Sequence, residues 1–413
     1  MKLYKRIFTI LMILVAVAGA NADNGINSPY SRLGLGILTN QSLGINRQMG
    51  GLGYGLRSDS YINIVNPASF SEADTLTMLF EAGFTLQDVY FKENGKGTNA
   101  LNASFDYIAM QFRLCKGLGM SLGFLPYSTV GYTFGLTSDA GTKNEYTKTY
   151  ACAGGLYQPY VGLGWQPFKG LSIGVTAAYL YGDIAHEISY DFTNSDVDNY
   201  KSYTAKFNSY KVDFGLQYYA TIAKKHDIVF GATYSLGHSM KTDATRISVE
   251  ANVTDTTSLS NGFALPHTYG AGFTYCYNKQ WKFGADYTLQ QWNTSTFFGD
   301  DNDRGIDRYK LSVGLEYAPN ETSNKFHKMI SYRGGLHFAQ PYTGVGCNEY
   351  GVSAGFSLPI MNRNNKYNSA LVHISGQYVH MSPTSAGLIA EDHFRLNIGI
   401  TFNEAWFMKL KVR

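Results

Sequence analysis

The sequence predicts an all-β protein: a transmembrane antiparallel β-barrel of about fourteen strands, with an N-terminal plug inside its lumen. Three observations predict it. The chain opens with an export signal. Long stretches alternate apolar and polar residues. Beyond the signal, no apolar run approaches the ~18 residues that a membrane helix needs.

The signal comes first in the chain. Lys2, Lys5 and Arg6 form a basic start, Ile7 to Val17 an apolar core, and Ala20-Asn21-Ala22 a small-residue cleavage pattern. Residues 1–22 therefore read as a signal peptide, with Asp23 opening the mature chain. No cysteine lies near that point, which argues against a lipid anchor.

Composition narrows the class further. Charged residues make up 16% of the chain, against about 25% in soluble domains. Tyr (32), Phe (25) and Gly (44) are all abundant, which suits strands with one face in lipid and the other in a crowded lumen. A net charge of +3 is too small to argue for nucleic acid. Cys115, Cys152, Cys276 and Cys347 match no metal spacing. Oxidation of Cys152 with Cys276 stays open.

Alternation then places the strands. Ile173, Val175, Ala177, Tyr179 and Tyr181 oppose Ser172, Gly174, Thr176, Ala178 and Leu180. Tyr269, Ala271, Phe273, Tyr275 and Tyr277 oppose Gly270, Gly272, Thr274, Cys276 and Asn278. Period two puts the two sets on opposite faces. Strands are expected at 75–90, 99–114, 118–136, 146–165, 171–190, 202–222, 227–250, 266–278, 281–296, 306–319, 329–343, 347–360, 368–381 and 391–407. Brief turns follow the second, fourth, sixth and eighth, whereas longer connectors such as 253–265 and 297–305 read as outer loops. That asymmetry predicts a multi-pass barrel of the bacterial outer membrane with both termini periplasmic. Residues 75–413 form the barrel. Residues 23–74, rich in Gly, Asn and Ser but still carrying Leu33, Leu35, Ile37, Leu52 and Tyr54, are expected to be the plug.

Within that frame, Asn46-Arg47-Gln48-Met49-Gly50-Gly51-Leu52-Gly53 and Asn66-Pro67-Ala68 resemble the plug of the FadL/TodX family of outer-membrane transporters for hydrophobic compounds. Leu265-Pro266-His267-Thr268-Tyr269-Gly270, the run from Trp281 to Tyr287, and Phe394 to Gly399 are similar to its later strands. The resemblance implies fourteen strands and passive uptake of long-chain fatty acids or aromatic hydrocarbons. It also implies lateral release at a third-strand kink, where this chain has Leu125-Pro126-Tyr127. Proline lacks the ladder N–H, so a bulge or a gap is expected there. Asn66, Pro67, Ala68, Gly50, Gly51 and Gly53 are the plug or gate candidates, expected to act with the third strand as one gate.

A PorV-like branch is also similar, which offers a protein-binding component of a secretion system as the alternative. Expected partners are the outer-membrane bilayer, a hydrophobic small molecule, the barrel-assembly machinery during biogenesis and, on the alternative, secretion-system proteins. The C-terminal signal for that machinery is only partly matched: Asn397, Gly399 and Phe402 fit, but Glu404 does not.

No catalytic residue, cofactor or metal is expected. Gly51-x-Gly53-x-Gly55 lacks the preceding strand of a phosphate loop. His373 and Ser375 share a face, but alternation turns it to the lumen, away from any lipid substrate. Small neutral luminal residues, among them Gly174, Thr176, Gly272 and Ser312, disfavour an ion-selective pore, which needs rings of like charge.

Overall fold

The computed structural model describes residues 26–93, 96–138, 141–142, 145–192, 199–250, 253–260, 262–297, 300–319, 326–344, 346–360, 369–384 and 389–405. The signal peptide and the tail after 405 lie outside the described residues.

Fourteen strands form the barrel, numbered here along the chain: β1 Thr77–Glu93, β2 Lys96–Cys115, β3 Leu118–Ser138, β4 Tyr146–Phe168, β5 Leu171–Phe192, β6 Asn199–Ile222 and β7 His226–Ser235. They continue with β8 His267–Tyr277, β9 Trp281–Gln291, β10 Arg308–Tyr317, β11 Ser331–Ala339, β12 Cys347–Pro359, β13 Ser369–Pro383 and β14 Ala390–Ala405. Each pairs antiparallel with the next, and β14 pairs with β1 from Thr77↔Ala405 to Lys92↔Ala390. Closure removes the sheet edges that lipid would leave unpaired.

Alternation holds as expected. Ile173, Val175, Tyr179 and Tyr181 face outward and are exposed, while Ser172, Thr176 and Leu180 are buried. Aromatic residues recur at two levels: Trp165 and Tyr157 on β4, Tyr218 and Tyr210 on β6, and Tyr277 and Tyr269 on β8. Each pair is eight residues apart, ~27 Å along a strand and about 20 Å in height once tilted by 35–45°. The two girdles bound an apolar band, so the chain is a membrane-spanning barrel of the outer-membrane kind.

At the end carrying the short turns, residues 223–224 and 278–279 all have positive φ, as the central pair of a type I′ turn requires, within loops of three residues. At the opposite end the wall is uneven. β3 to β6 run well past the upper girdle, and 242–250 adds to β6 before turning into 253–260. β7 to β11 stop near the girdle.

The expected strand 227–250 is therefore three elements: β7, the short strand His238–Met240, which pairs with Phe263–Leu265, and Thr242–Glu250. It breaks after Ser235, where a Cβ on Gly237 would sit 2.5 Å from the His267 nitrogen. The wall needs that space for the chain returning into β8. The expected loop 253–265 is likewise partly strand. Phe297, in the second expected loop, is fully buried.

Candidate functional site

Residues 26–76 lie inside the barrel, and the wall is shaped to hold them. Glycines pair across neighbouring strands at one level: Gly119↔Gly164, Gly164↔Gly174, Gly174↔Gly215, and Gly284↔Gly314↔Gly335. A Cβ on Gly174 would stand 2.3 Å from the Pro67 carbonyl carbon, and one on Gly335 2.2 Å from the Gly50 nitrogen. The small luminal residues that argue against a pore are thus the plug's seat.

Single polar side chains then grip the plug's backbone. Asp286 Oδ2 accepts from the N–H groups of Gly53 (2.6 Å) and Tyr54 (2.9 Å). Gln217 donates to the carbonyls of Tyr54 and Leu56, both at 2.9 Å. Glu81 accepts from Gly44 and Ile62, and Arg47 pairs with Asp106 at 2.6 Å. Gly50, with φ of 70°, donates to Ser353 Oγ at 3.0 Å, and Gly51, with φ of 86°, completes the reversal. The Tyr54 hydroxyl, which burial pushes up to about 12, lies 2.7 Å from Thr288 Oγ1.

Asn66-Pro67-Ala68 has a local explanation. Asn66 caps the 3₁₀ turn Pro67–Glu72, its Oδ1 accepting from the Ala68 N–H at 3.1 Å, and Pro67 fills the first helical position. The Asn66 amide also donates to the carbonyls of Tyr54 and of Leu216 on β6.

Leu125-Pro126-Tyr127 lies at a true irregularity. Below it Pro126 faces Tyr157, above it Ser128 faces Leu156, and Tyr127 is the extra residue. A one-residue bulge reverses which face each later side chain takes. Leu125 is buried below, and Val130 and Tyr132 are buried above. β2 carries its own bulge opposite, at Asp106, which turns both Asp106 and Tyr107 inward. Between the two irregularities the wall parts. β2 pairs with β3 only from Cys115↔Leu118 to Ile108↔Phe124, and no described pair joins them above that point.

The chain's own N-terminal segment takes β3's freed edge. Ile37↔Thr129 and Leu38↔Ser128 pair antiparallel. Thr39 donates its N–H to the Tyr127 carbonyl at 3.0 Å, and Ser28 to that of Gly131 at 3.1 Å. Ser28 Oγ donates to Glu391 on β14 at 2.7 Å.

The structure thus divides the expected gate. The third-strand kink meets residues 37–41, whereas Asn66-Pro67-Ala68 is anchored to β4, β5 and β6. The two are linked through an apolar cluster in which Phe70, Tyr160 and Leu125 take part.

Above the plug, Trp292, Phe297, Tyr342, Phe263 and Leu35 form an apolar cap. Between plug and cap lies a chamber of ≈ 190 Å³. Leu38, Ile64, Leu125, Tyr127 and Leu265 line one part of it, and Lys211, Asp213, Asp286, Arg308 and Lys310 another. Lys211 pairs with Asp213, and Arg308 with Glu349 at 3.6 Å. The Lys310 side chain makes no hydrogen bond or ion pair among the described residues.

Other sequence candidates resolve simply. Cys152 and Cys276 are free thiols at opposite ends of the wall, and Cys152 Sγ contacts His186. His373 bonds Ser357 (2.7 Å) and Thr401 (2.8 Å) rather than Ser375. Alternation predicted both as luminal, and both are buried. Asp286, Gln217 and Glu81 escaped the sequence reading; their signal is a lone polar residue at an inward position among small neighbours.

The family described as BamG matches residues 3–413. No curated protein sequence matches the chain. Among solved structures, the fold is similar to the Pseudomonas putida toluene transporter TodX, at 15% identity and a TM-score of 0.60, covering 90% of this chain and 100% of that one. It is similar to the Ralstonia pickettii toluene transporter TbuX at 15% identity and 0.59, covering 89% and 99%. A Pseudomonas aeruginosa FadL homologue aligns at 10% identity and 0.57, covering 89% and 98%. Likeness at this identity concerns the fold.

Proposed function

The chain belongs to the BamG family, and from its plugged, split-walled barrel we propose that it passes hydrophobic small molecules between the cell exterior and the bilayer. The chamber carries the proposal: an apolar wall adjoins the parting of β2 and β3, where a ligand leaves sideways once residues 37–41 shift. A chamber of ≈ 190 Å³ suits a single aromatic ring, since cavities of about 150 Å³ hold benzene. A long-chain fatty acid needs the plug to move further. Lys310 offers a polar end its counterpart.

The test is ligand binding by the purified full-length protein, using isotope-labelled toluene and oleate. Leu125→Trp, which fills the chamber, is expected to abolish toluene retention while leaving the heat-modifiable barrel intact. Equal retention by both proteins would place the ligand elsewhere and remove the proposal's support. The outward orientation of the long loops belongs to the same reading. In a cysteine-free variant, a cysteine at Thr256 is expected to label in intact cells with an impermeant reagent. Labelling at Lys169 instead would invert the barrel.

The second reading, a protein-binding component of a secretion system, is favoured by the tall β3–β6 wall and its added hairpin, which present a broad surface outside the membrane. Under it, the protein co-purifies with a polypeptide partner and retains no small molecule.

A further inference from the structure

The parting of β2 from β3 leaves two edges, and among the described residues only one of them is filled. The edge of β3 is covered by main-chain pairing to residues 37–39. Residues 97–107 of β2 pair with β1 on one side, and on the other no described residue continues the ladder. Leu101 pairs through Asp88 to Phe394, an exposed aromatic at the upper rim of the apolar band, so the edge descends from that rim into the bilayer. Leu101 is 79% exposed and Phe105 42%.

Two buried polar groups mark the same gap. Asn102 is 8% exposed, and although its Oδ1 accepts from Asn27 at 3.1 Å, its Nδ2 has no partner. The hydroxyl of Ser128, on the facing strand, is fully buried and also without one.

We infer that the β2 edge at 97–107 is a strand-addition site, at which an extended segment of a partner protein pairs with β2 and completes the wall. A row of backbone N–H and C=O groups at bilayer depth is costly unless hydrogen-bonded. An acyl chain or a toluene-sized molecule offers no matching row; a polypeptide strand does. Residues 37–39 already satisfy the opposite edge in this way. The partner segment alternates, with apolar side chains beside Leu101 and Phe105 in lipid and a hydrogen-bond acceptor turned inward to the Asn102 amide.

The experiment uses the full-length protein in its native membrane, with a benzophenone-bearing residue placed singly at Leu101, Ala103 or Phe105. Controls sit at Leu315 and Val352, on fully paired strands. Adducts to one segment of another polypeptide are expected, with the attachment point moving two residues for each two-residue step along β2. The controls give none. Asn102→Ala is expected to lower adduct yield about fivefold, the worth of one net hydrogen bond, with the heat-modifiable barrel unchanged. Any of four results overturns the inference: adducts to lipid alone, to residues 26–39 of the same chain, to a second copy of this chain, or to another protein without the two-residue register. Ligand retention is not read here, so failure of this inference and failure of the transport reading are separate outcomes.

Discussion

The wall from β8 to β11 and the wall from β2 to β4 follow the same alternating rule but behave differently. From β8 to β11 the strands are short and pair in unbroken register, and Gly284, Gly314 and Gly335 meet in one row. From β2 to β4 the strands are long, three register shifts (at Asp106, between Arg113 and Cys115, and at Tyr127) interrupt the ladders, and the ladder between β2 and β3 stops at Ile108↔Phe124. Both sides seat the plug, at Gly314 and Gly335 on one and at Gly119 and Gly164 on the other. The irregular side borrows the plug to close itself. One barrel thus carries an incompletely paired seam on one side and a continuously paired wall on the other.

The largest expected contrast between the two walls lies on their lipid faces. Phe273→Arg, mid-band on β8 between Tyr269 and Tyr277, should cost ~2–4 kcal/mol, whereas Leu101→Arg, at the rim beside the seam, should cost ~0–1 kcal/mol. Denaturant unfolding from lipid vesicles measures both; equal costs would erase the distinction in membrane depth. Next comes the plug's grip. Asp286→Ala leaves the Gly53 and Tyr54 N–H groups buried and unpaired, for about 1–3 kcal/mol, and should make residues 40–70 protease-sensitive in a folded barrel. Protection equal to that of the native protein would show that the glycine row alone seats the plug. The smallest effect is at Pro126→Val, expected below ~1 kcal/mol because Tyr127 remains the extra residue. If the seam is the exit, this change slows ligand release without altering heat modifiability, and an unchanged release rate would move the exit elsewhere.

Most of this architecture is legible in the residues. Strand positions follow from alternation because one face meets lipid and the other the lumen, as at Ile173 to Tyr181. Turns such as 278–280 announce themselves by polar residues between apolar runs. The irregularity at Pro126 follows from a missing N–H. The break after Ser235 does not, because it arises from the close passage of His267, some thirty residues later in the chain. Nor does the docking of Leu38 on Ser128, since a two-residue strand carries no period. The candidate site was partly legible: its residues were named, and the turn that Asn66-Pro67-Ala68 opens packs on the third strand at Gly119, below the kink, while residues 37–41 meet the kink itself. Asn66-Pro67-Ala68 looks distinctive because it caps a turn, and capping says nothing about which wall that turn faces.

Tyr127 has a consequence that can be put genetically. An in-frame deletion of its codon would make Pro126 and Ser128 consecutive opposite Tyr157 and Leu156, which are already consecutive on β4. Ser128, Val130 and Tyr132 would keep their inward faces, because the deletion removes only the extra residue. The Thr39 N–H would lose the Tyr127 carbonyl that accepts from it, and the apolar cluster around Leu35 would lose one ring. Deleting Thr129 with Tyr127 kept would instead turn Val130 and Tyr132 outward. One codon is therefore spare at the bulge and indispensable two residues later.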